Sequence, residues 1–209
     1  RPPPPTLPTE RAAEACGIRP GETVAVWGCG PVGLFAMLSA QIMGAGRVIA
    51  IDRFEYRLRM AAEHCGAETL NYEDVSVYEA LREKTGGRGP DHVIDAVGLE
   101  GHMPGAYGLY DRVKQALMLE TDRPAVLREA ITAVRGGGTV SVAGVYGGLL
   151  DKIPFGAIVN KALTVKSGQT HVQRYMQPLL DRIVAGEMDP SFVVTHTLPL
   201  ERAAQGYET

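Results

Sequence analysis

The residues whose types and spacing point to chemistry are Trp27-Gly28-Cys29-Gly30-Pro31-Val32-Gly33, answered by Ile49-Ala50-Ile51-Asp52. Gly28 permits a tight turn from a strand into a helix. Gly30 lets the backbone approach a phosphate with no side chain in the way, and Gly33 lets the helix lie close on the sheet. A pyrophosphate then sits at the positive end of the helix opened by Pro31, against free backbone N–H groups. Asp52 closes the next strand 24 residues after Gly28. There its carboxylate accepts hydrogen bonds from ribose hydroxyls and repels a 2′-phosphate, so the pattern predicts NAD rather than NADP. A glycine turn without a ligand gives the same spacing by chance. The strand before it, the helix after it and the answering acid raise this one above chance. S-adenosylmethionine binding is a rival, but it usually wants an acid in the strand before the first glycine, and Val24–Trp27 has none.

Those residues need a frame to position them. From Thr23 onward strand-like and helix-like segments alternate. Residues 24–27, 47–52, 68–71, 92–97, 139–145 and 163–167 read as strands. Residues 31–43, 55–64, 75–84, 124–134 and 154–161 read as helices, several of them stopped by glycine. Such alternation predicts an α/β fold of right-handed βαβ units, a doubly wound six-stranded parallel (Rossmann) sheet with helices on both faces. Residues 99–122 interrupt the rhythm and read as an insertion with its own helix at 111–119. Before the frame lies a proline-rich leader at 1–8 and a short helix capped by Thr9 and ended by Gly17. After it, residues 172–185, 192–197 and 200–207 read as helix, strand and helix, a C-terminal α/β stub. The expected division is 1–19, 20–170 and 171–209.

Composition narrows the function classes. With 45% hydrophobic residues and a net charge of -3, the chain is neither disordered nor a general nucleic-acid binder. Three cysteines, Cys16, Cys29 and Cys65, offer no disulfide framework and suit a reducing, cytoplasmic setting. Residues 32–51 are apolar for about the length of a membrane span. Gln41, Gly44, Gly46 and Arg47 break that run into a helix plus a strand, so no membrane association is expected. His64, His92, His102, His171 and His196 lack ligand spacing, and Asp95 reads as a structural acid. Tyr110 and Lys114 match the Tyr-x-x-x-Lys spacing of short-chain dehydrogenases, but in the inserted segment and by chance.

Six runs carry a family resemblance. They are GETVAVWGCGPVG (21–33), RVIAIDRFEYRL (47–58), DHVIDAVG (91–98), ALMLETDRPAVLREAI (116–131), GGTVSVAGVYGG (137–148) and VKSGQTHVQRY (165–175). The sequence resembles the coenzyme-binding part of the zinc-containing medium-chain alcohol dehydrogenases, and the last three runs resemble the glutathione-independent formaldehyde dehydrogenase-like branch. The resemblance covers residues 7–209. It implies NAD as cofactor, with Gly28, Gly30, Pro31, Val32 and Gly33 at its pyrophosphate. Asp52, Arg53 and Arg57 would lie at the adenosine ribose, Val97, Gly98 and Val145 along the cofactor, and Gly168 and Thr170 near the nicotinamide.

In that family a zinc polarises the alcohol oxygen while hydride passes to NAD. Its ligands come from a domain preceding the equivalent of Leu7, and residues 1–20 hold no substitute. The expectation is therefore NAD binding without turnover, with no catalytic or metal-ligating residues in this chain. Where formaldehyde dehydrogenases carry an Arg and a His after DAVG, this chain has Gly101-His102-Met103-Pro104. Family members pair through the sixth-strand edge, so a homodimer or larger assembly is expected. Two alternatives stand beside this reading: a free-standing dinucleotide-binding or sensing module, and a zinc-independent quinone-type reductase. The second would prefer NADP, against Asp52.

Overall fold

A computed structural model describes residues 10–98, 124–147, 150–169 and 171–208. The proline-rich leader, Thr9, the 99–122 insertion and Thr170 lie outside the described residues. Six strands form one sheet: β1 (Thr23–Trp27), β2 (Arg47–Asp52), β3 (Glu68–Asn71), β4 (His92–Asp95), β5 (Thr139–Val142) and β6 (Thr164–Ser167). All neighbours pair in parallel, in the order β3-β2-β1-β4-β5-β6. This is the doubly wound Rossmann-like sheet. Strand order reverses between β1 and β4, and a crevice opens at such a switch point beyond the carboxyl ends.

Helices α1 (Glu10–Cys16), α2 (Pro31–Ile42), α3 (Glu55–Cys65), α4 (Val77–Lys84), α5 (Ala125–Ala133) and α6 (Phe155–Asn160) accompany the sheet. Successive strand residues point to opposite faces, and both faces are covered. Val24, Val26, Val48, Ala50 and Ile94 pack on one side with Leu34, Met37 and Leu58 of α2 and α3. Ala25, Trp27, Ile49, Ile51 and Val93 pack on the other with Leu81 of α4 and Ile131 of α5. Burial on both faces is why these strands read as continuous apolar runs. Among the described residues no helix is long and apolar enough to cross a membrane, and the apolar run at 32–51 divides into α2 and β2.

Two strands are shorter than their apolar runs suggest. β4 stops at Asp95 because its carboxylate turns back to accept the N–H groups of Val97 (2.9 Å) and Gly98 (3.0 Å). β5 stops at Val142 because Ala143 and Gly144 both donate to the Asp95 carbonyl. At the far end of α5, Lys161 Nζ donates to Thr132 O (2.6 Å) and Val134 O (2.8 Å), placing a cation on the helix's last carbonyls.

The tail departs from expectation. Its first helix, α7 (Val172–Val184), forms as read. Residues 192–197 are no strand: Pro190–Val193 is a 3-10 helix, opened by Asp189, whose carboxylate accepts the Ser191 N–H at 2.9 Å. Among the described residues this segment pairs with no strand. Phe192 is taken instead by Phe35 and by His64, whose ring stacks on it at 4.7 Å. The last segment divides into the 3-10 turn Leu200–Arg202 and a single-turn α8 (Ala203–Gly206). The described tail is thus helical rather than α/β. It docks through Tyr175, whose hydroxyl donates to Glu14 of α1 at 2.9 Å.

Charged groups gather at the amino ends of β1 and β4. Asp91 accepts the Thr23 N–H (2.8 Å) and pairs with Arg135 (2.5 Å), while Glu22 bonds His92 at 2.8 Å. Burial alone would raise the Asp91 carboxyl, but Thr23 N–H, Arg135 and Arg88 together hold it below the usual range. Burial likewise opposes the His92 and Arg19 hydrogen bonds at Glu22, and the bonds prevail. Carboxyls with lowered folded values stabilise above their unfolded pKa, ~4, and lose that contribution as pH falls through the folded value. Urea midpoints should therefore fall between neutral and acidic pH. Asp91→Asn should cost ~1–3 kcal/mol at neutral pH and flatten that fall; an unchanged pH slope in the variant would refute the assignment.

Candidate functional site

The glycine turn follows directly from β1. Gly28 has φ +91, and a Cβ there would lie 2.7 Å from Val97 Cγ2. Gly33 is more constrained still: its Cβ would come within 1.8 Å of the Gly28 carbonyl oxygen, so helix and turn close only on glycine. Gly30 is the opposite case, with nothing within 4 Å of its Cβ position. The space before it is open. In the first turn of α2, Pro31 has no N–H and Leu34 N–H returns to Gly30 O at 2.9 Å. No side chain caps this end, which leaves the Val32 and Gly33 N–H groups directed outward. Two free N–H groups at the positive end of a 12-residue helix make a receptor for an anion.

Asp52 is only 6% exposed, and its carboxylate is already bonded three times. Oδ2 accepts Cys29 N–H at 2.8 Å, and Oδ1 accepts Arg53 N–H (2.7 Å) and Phe54 N–H (3.1 Å). The acid that the sequence reading gave to a ribose therefore also holds the glycine turn to β2. One lone pair on Oδ2 stays open for a hydroxyl donor. Beyond it, the Arg53 and Arg57 guanidiniums lie 4.6 and 4.9 Å from the centre of the Phe54 ring, and Arg57 Nε donates to Tyr56 Oη.

A cleft of about 680 Å³ joins these groups, within the usual ~300–1,000 Å³ of small-molecule sites. Of the residues expected from sequence, Gly28, Gly30, Pro31 and Val32 line its turn side. Asp52, Arg53, Arg57 and Val97 line the rest, while Gly33 lies beneath the turn. Gly98, Val145 and Gly168 stand at the carboxyl ends of β4, β5 and β6, outside this wall, and Thr170 is not among the described residues. Gly98 and Gly144 cross closely: a Cβ on Gly144 would lie 2.2 Å from Gly98 N. Asp95 fixes that crossing, taking Val97 and Gly98 N–H on one oxygen and the Tyr146 hydroxyl at 2.6 Å on the other. Sequence reasoning missed Phe54, Tyr72 and Glu129 of the cleft wall. Phe54 lies two residues after the acid and could have been found; Glu129 is brought in only by tertiary packing.

The sequence of residues 31–112 matches the family model described as zinc-binding dehydrogenase. The uncharacterized zinc-type alcohol dehydrogenase-like protein AdhB of Bacillus subtilis is 40% identical over 94% of this chain and 51% of its own length. A glutathione-independent formaldehyde dehydrogenase of the same organism is 32% identical, over 93% of this chain and 48% of its own. The solved alcohol dehydrogenase TADH from Thermus sp. ATN1 superposes with TM-score 0.77 at 35% identity, covering 96% of this chain and 52% of that one. Over about half of their length, the zinc-type alcohol dehydrogenases match this chain. It spans about half the length of the curated relatives it matches.

The family's zinc finds no fit among the described residues of this zinc-type relative. Burial pushes the Cys16 and Cys65 thiols up to about 12 and about 11, and each donates S–H to a backbone carbonyl. Cys29 is pushed up as well, by burial first and then by the Asp52 charge. Zinc takes thiolates, and among the described residues no three His, Cys, Asp or Glu side chains gather.

The glycines separate fold from binding. Gly30→Ala puts a methyl into open space, so the melting midpoint should stay within ~2 °C while affinity for a dinucleotide whose phosphate seats at this turn falls at least ~10-fold. Gly33→Ala should destabilise by ~1–3 kcal/mol through the forced shift of α2. Thermal melts and calorimetric titration check both. Full affinity in Gly30→Ala would remove the phosphate from this turn.

Proposed function

We propose that this chain binds NAD in the cleft at the switch point, as the coenzyme-binding part of a zinc-type oxidoreductase acting on a small alcohol or hydrated aldehyde. The observation that carries the reading is the open approach at Gly30 beneath two free N–H groups, with the Asp52 carboxylate held beside them. Val32 and Gly33 N–H would hold the pyrophosphate, and Asp52 Oδ2 would accept a ribose hydroxyl. Arg53 and Arg57 flank the adenosine side. Val97, Gly98, Val145 and Gly168 would define the path toward the nicotinamide. Bound NAD supplies a ring carbon that accepts hydride. In this reading residues 20–170 are the nucleotide domain, and 171–209 belong with the domain that would carry the substrate. The chain by itself would bind the cofactor without turning over an alcohol.

Trp27, the one tryptophan of the chain, lines the cleft and reports occupancy through its emission. NAD should bind at least ~10-fold more tightly than NADP, because a 2′-phosphate would meet the Asp52 charge. Tighter NADP binding would contradict that role. With zinc and a short-chain alcohol added, the purified chain should not reduce NAD; measurable zinc-dependent reduction would overturn the second half of the reading.

A second copy of the chain is the proposed partner. All four residues of β6 are exposed, and Phe155 and Val159 of the neighbouring α6 are exposed as well. Pairing of two β6 edges would satisfy their open backbone groups. Sedimentation should show a dimer; a monomer at every accessible concentration would refute it.

A further inference from the structure

The cleft continues below the level of the ribose. Trp27 and Ile51 pair in register one residue before Gly28 and Asp52, and both side chains turn to the α4–α5 face of the sheet. With Val77 of α4 and Val126 of α5 they make an apolar floor. Glu129 of α5 is the acid set into it. Trp27 Nε1 donates to Glu129 Oε2 at 2.8 Å and so fixes the carboxylate. Among the described residues, Oε1 has no hydrogen-bond partner and no cation pairs with the group. Burial raises this carboxyl above its ordinary range against the pull of the Trp27 bond. An anchored acceptor among apolar walls, half-buried, is open to one further donor. A flat heteroaromatic ring bearing an amino group supplies both the apolar surface and the N–H.

We propose that Glu129 reads the base of the bound dinucleotide, its Oε1 accepting a hydrogen bond from the exocyclic amino group of adenine seated on this floor. The proposal rests on the dinucleotide reading above. Pyrophosphate at α2 and ribose at Asp52 leave the base to enter this part of the cleft. A 6-oxo purine would turn a carbonyl oxygen toward the carboxylate, acceptor against acceptor, and the site would reject it. Glu129 is thus a specificity residue, and takes no part in hydride transfer.

The test compares NAD with nicotinamide hypoxanthine dinucleotide, which carries an oxo group in place of the amino group. Both are titrated into the whole chain by calorimetry, with Trp27 emission as a second readout. The wild type should bind NAD at least ~10-fold more tightly than the hypoxanthine form. In Glu129→Gln the side-chain carbonyl keeps the Trp27 bond and the NH2 turns into the floor. The preference should then collapse to parity or reverse, because the new donor suits the 6-oxo group. A wild-type ratio near one overturns the proposal whether or not the variant folds. So does a folded variant that keeps the wild-type ratio. If NAD binds but bases are not distinguished, this proposal alone fails; if neither dinucleotide binds, the cofactor reading fails with it.

Discussion

The Asp52 carboxylate is the joint on which the site depends. It gathers N–H groups from the glycine turn and from the start of the segment leading to α3, and so locks the ends of β1 and β2 together. Charge-assisted hydrogen bonds from three backbone N–H groups fix the carboxylate in place. The turn between β1 and α2 is glycine-rich, and without that clamp it would have many conformations to choose from. With it, the mouth of α2 is set before any ligand arrives, and binding need not bear the cost of ordering the loop. Preorganisation and, in the proposed reading, cofactor specificity share the same two oxygens.

A second joint, Asp95, does for β4 and β5 what Asp52 does for β1 and β2. Its carboxylate takes Val97 and Gly98 N–H and the Tyr146 hydroxyl, and its carbonyl takes two more N–H groups from the β5 side. Both acids are nearly or fully buried and stand at the carboxyl ends of central strands. The crevice at the switch point is thus lined by backbone whose polar groups are satisfied from within, leaving chosen N–H groups free. A wall so apolar thereby keeps polar groups available for a ligand without leaving the rest of its backbone unsatisfied.

The parts legible in the sequence are those fixed by local rules. Gly28, Gly33 and Asp52 announce themselves because a positive φ, a helix touching a turn and an acid after a strand each demand one residue type. The six strands are legible because burial on both faces makes them runs of apolar residues. What escaped is what depends on distant partners. Glu129 reaches Trp27 across 102 positions and Tyr146 reaches Asp95 across 51, with no spacing rule to signal either. Phe192-Val193-Val194 has strand composition, yet strand propensity is realised only where another strand offers an edge. Here the aromatic ring found Phe35 and His64, and the chain coiled instead. Residues 99–122 of the insertion fall outside what the structure describes.

The Tyr175–Glu14 hydrogen bond has a consequence for the order in which the molecule assembles. It joins residues 161 apart in sequence, so most of the chain is enclosed when it forms. Loop-closure entropy makes such a contact slow to form until intervening structure has shortened the path. Formation of the sheet and its two apolar layers shortens that path, and α7 on α1 then closes it as a latch. A latch of that kind can open as a cooperative unit while the crevice between β1 and β4 keeps its shape.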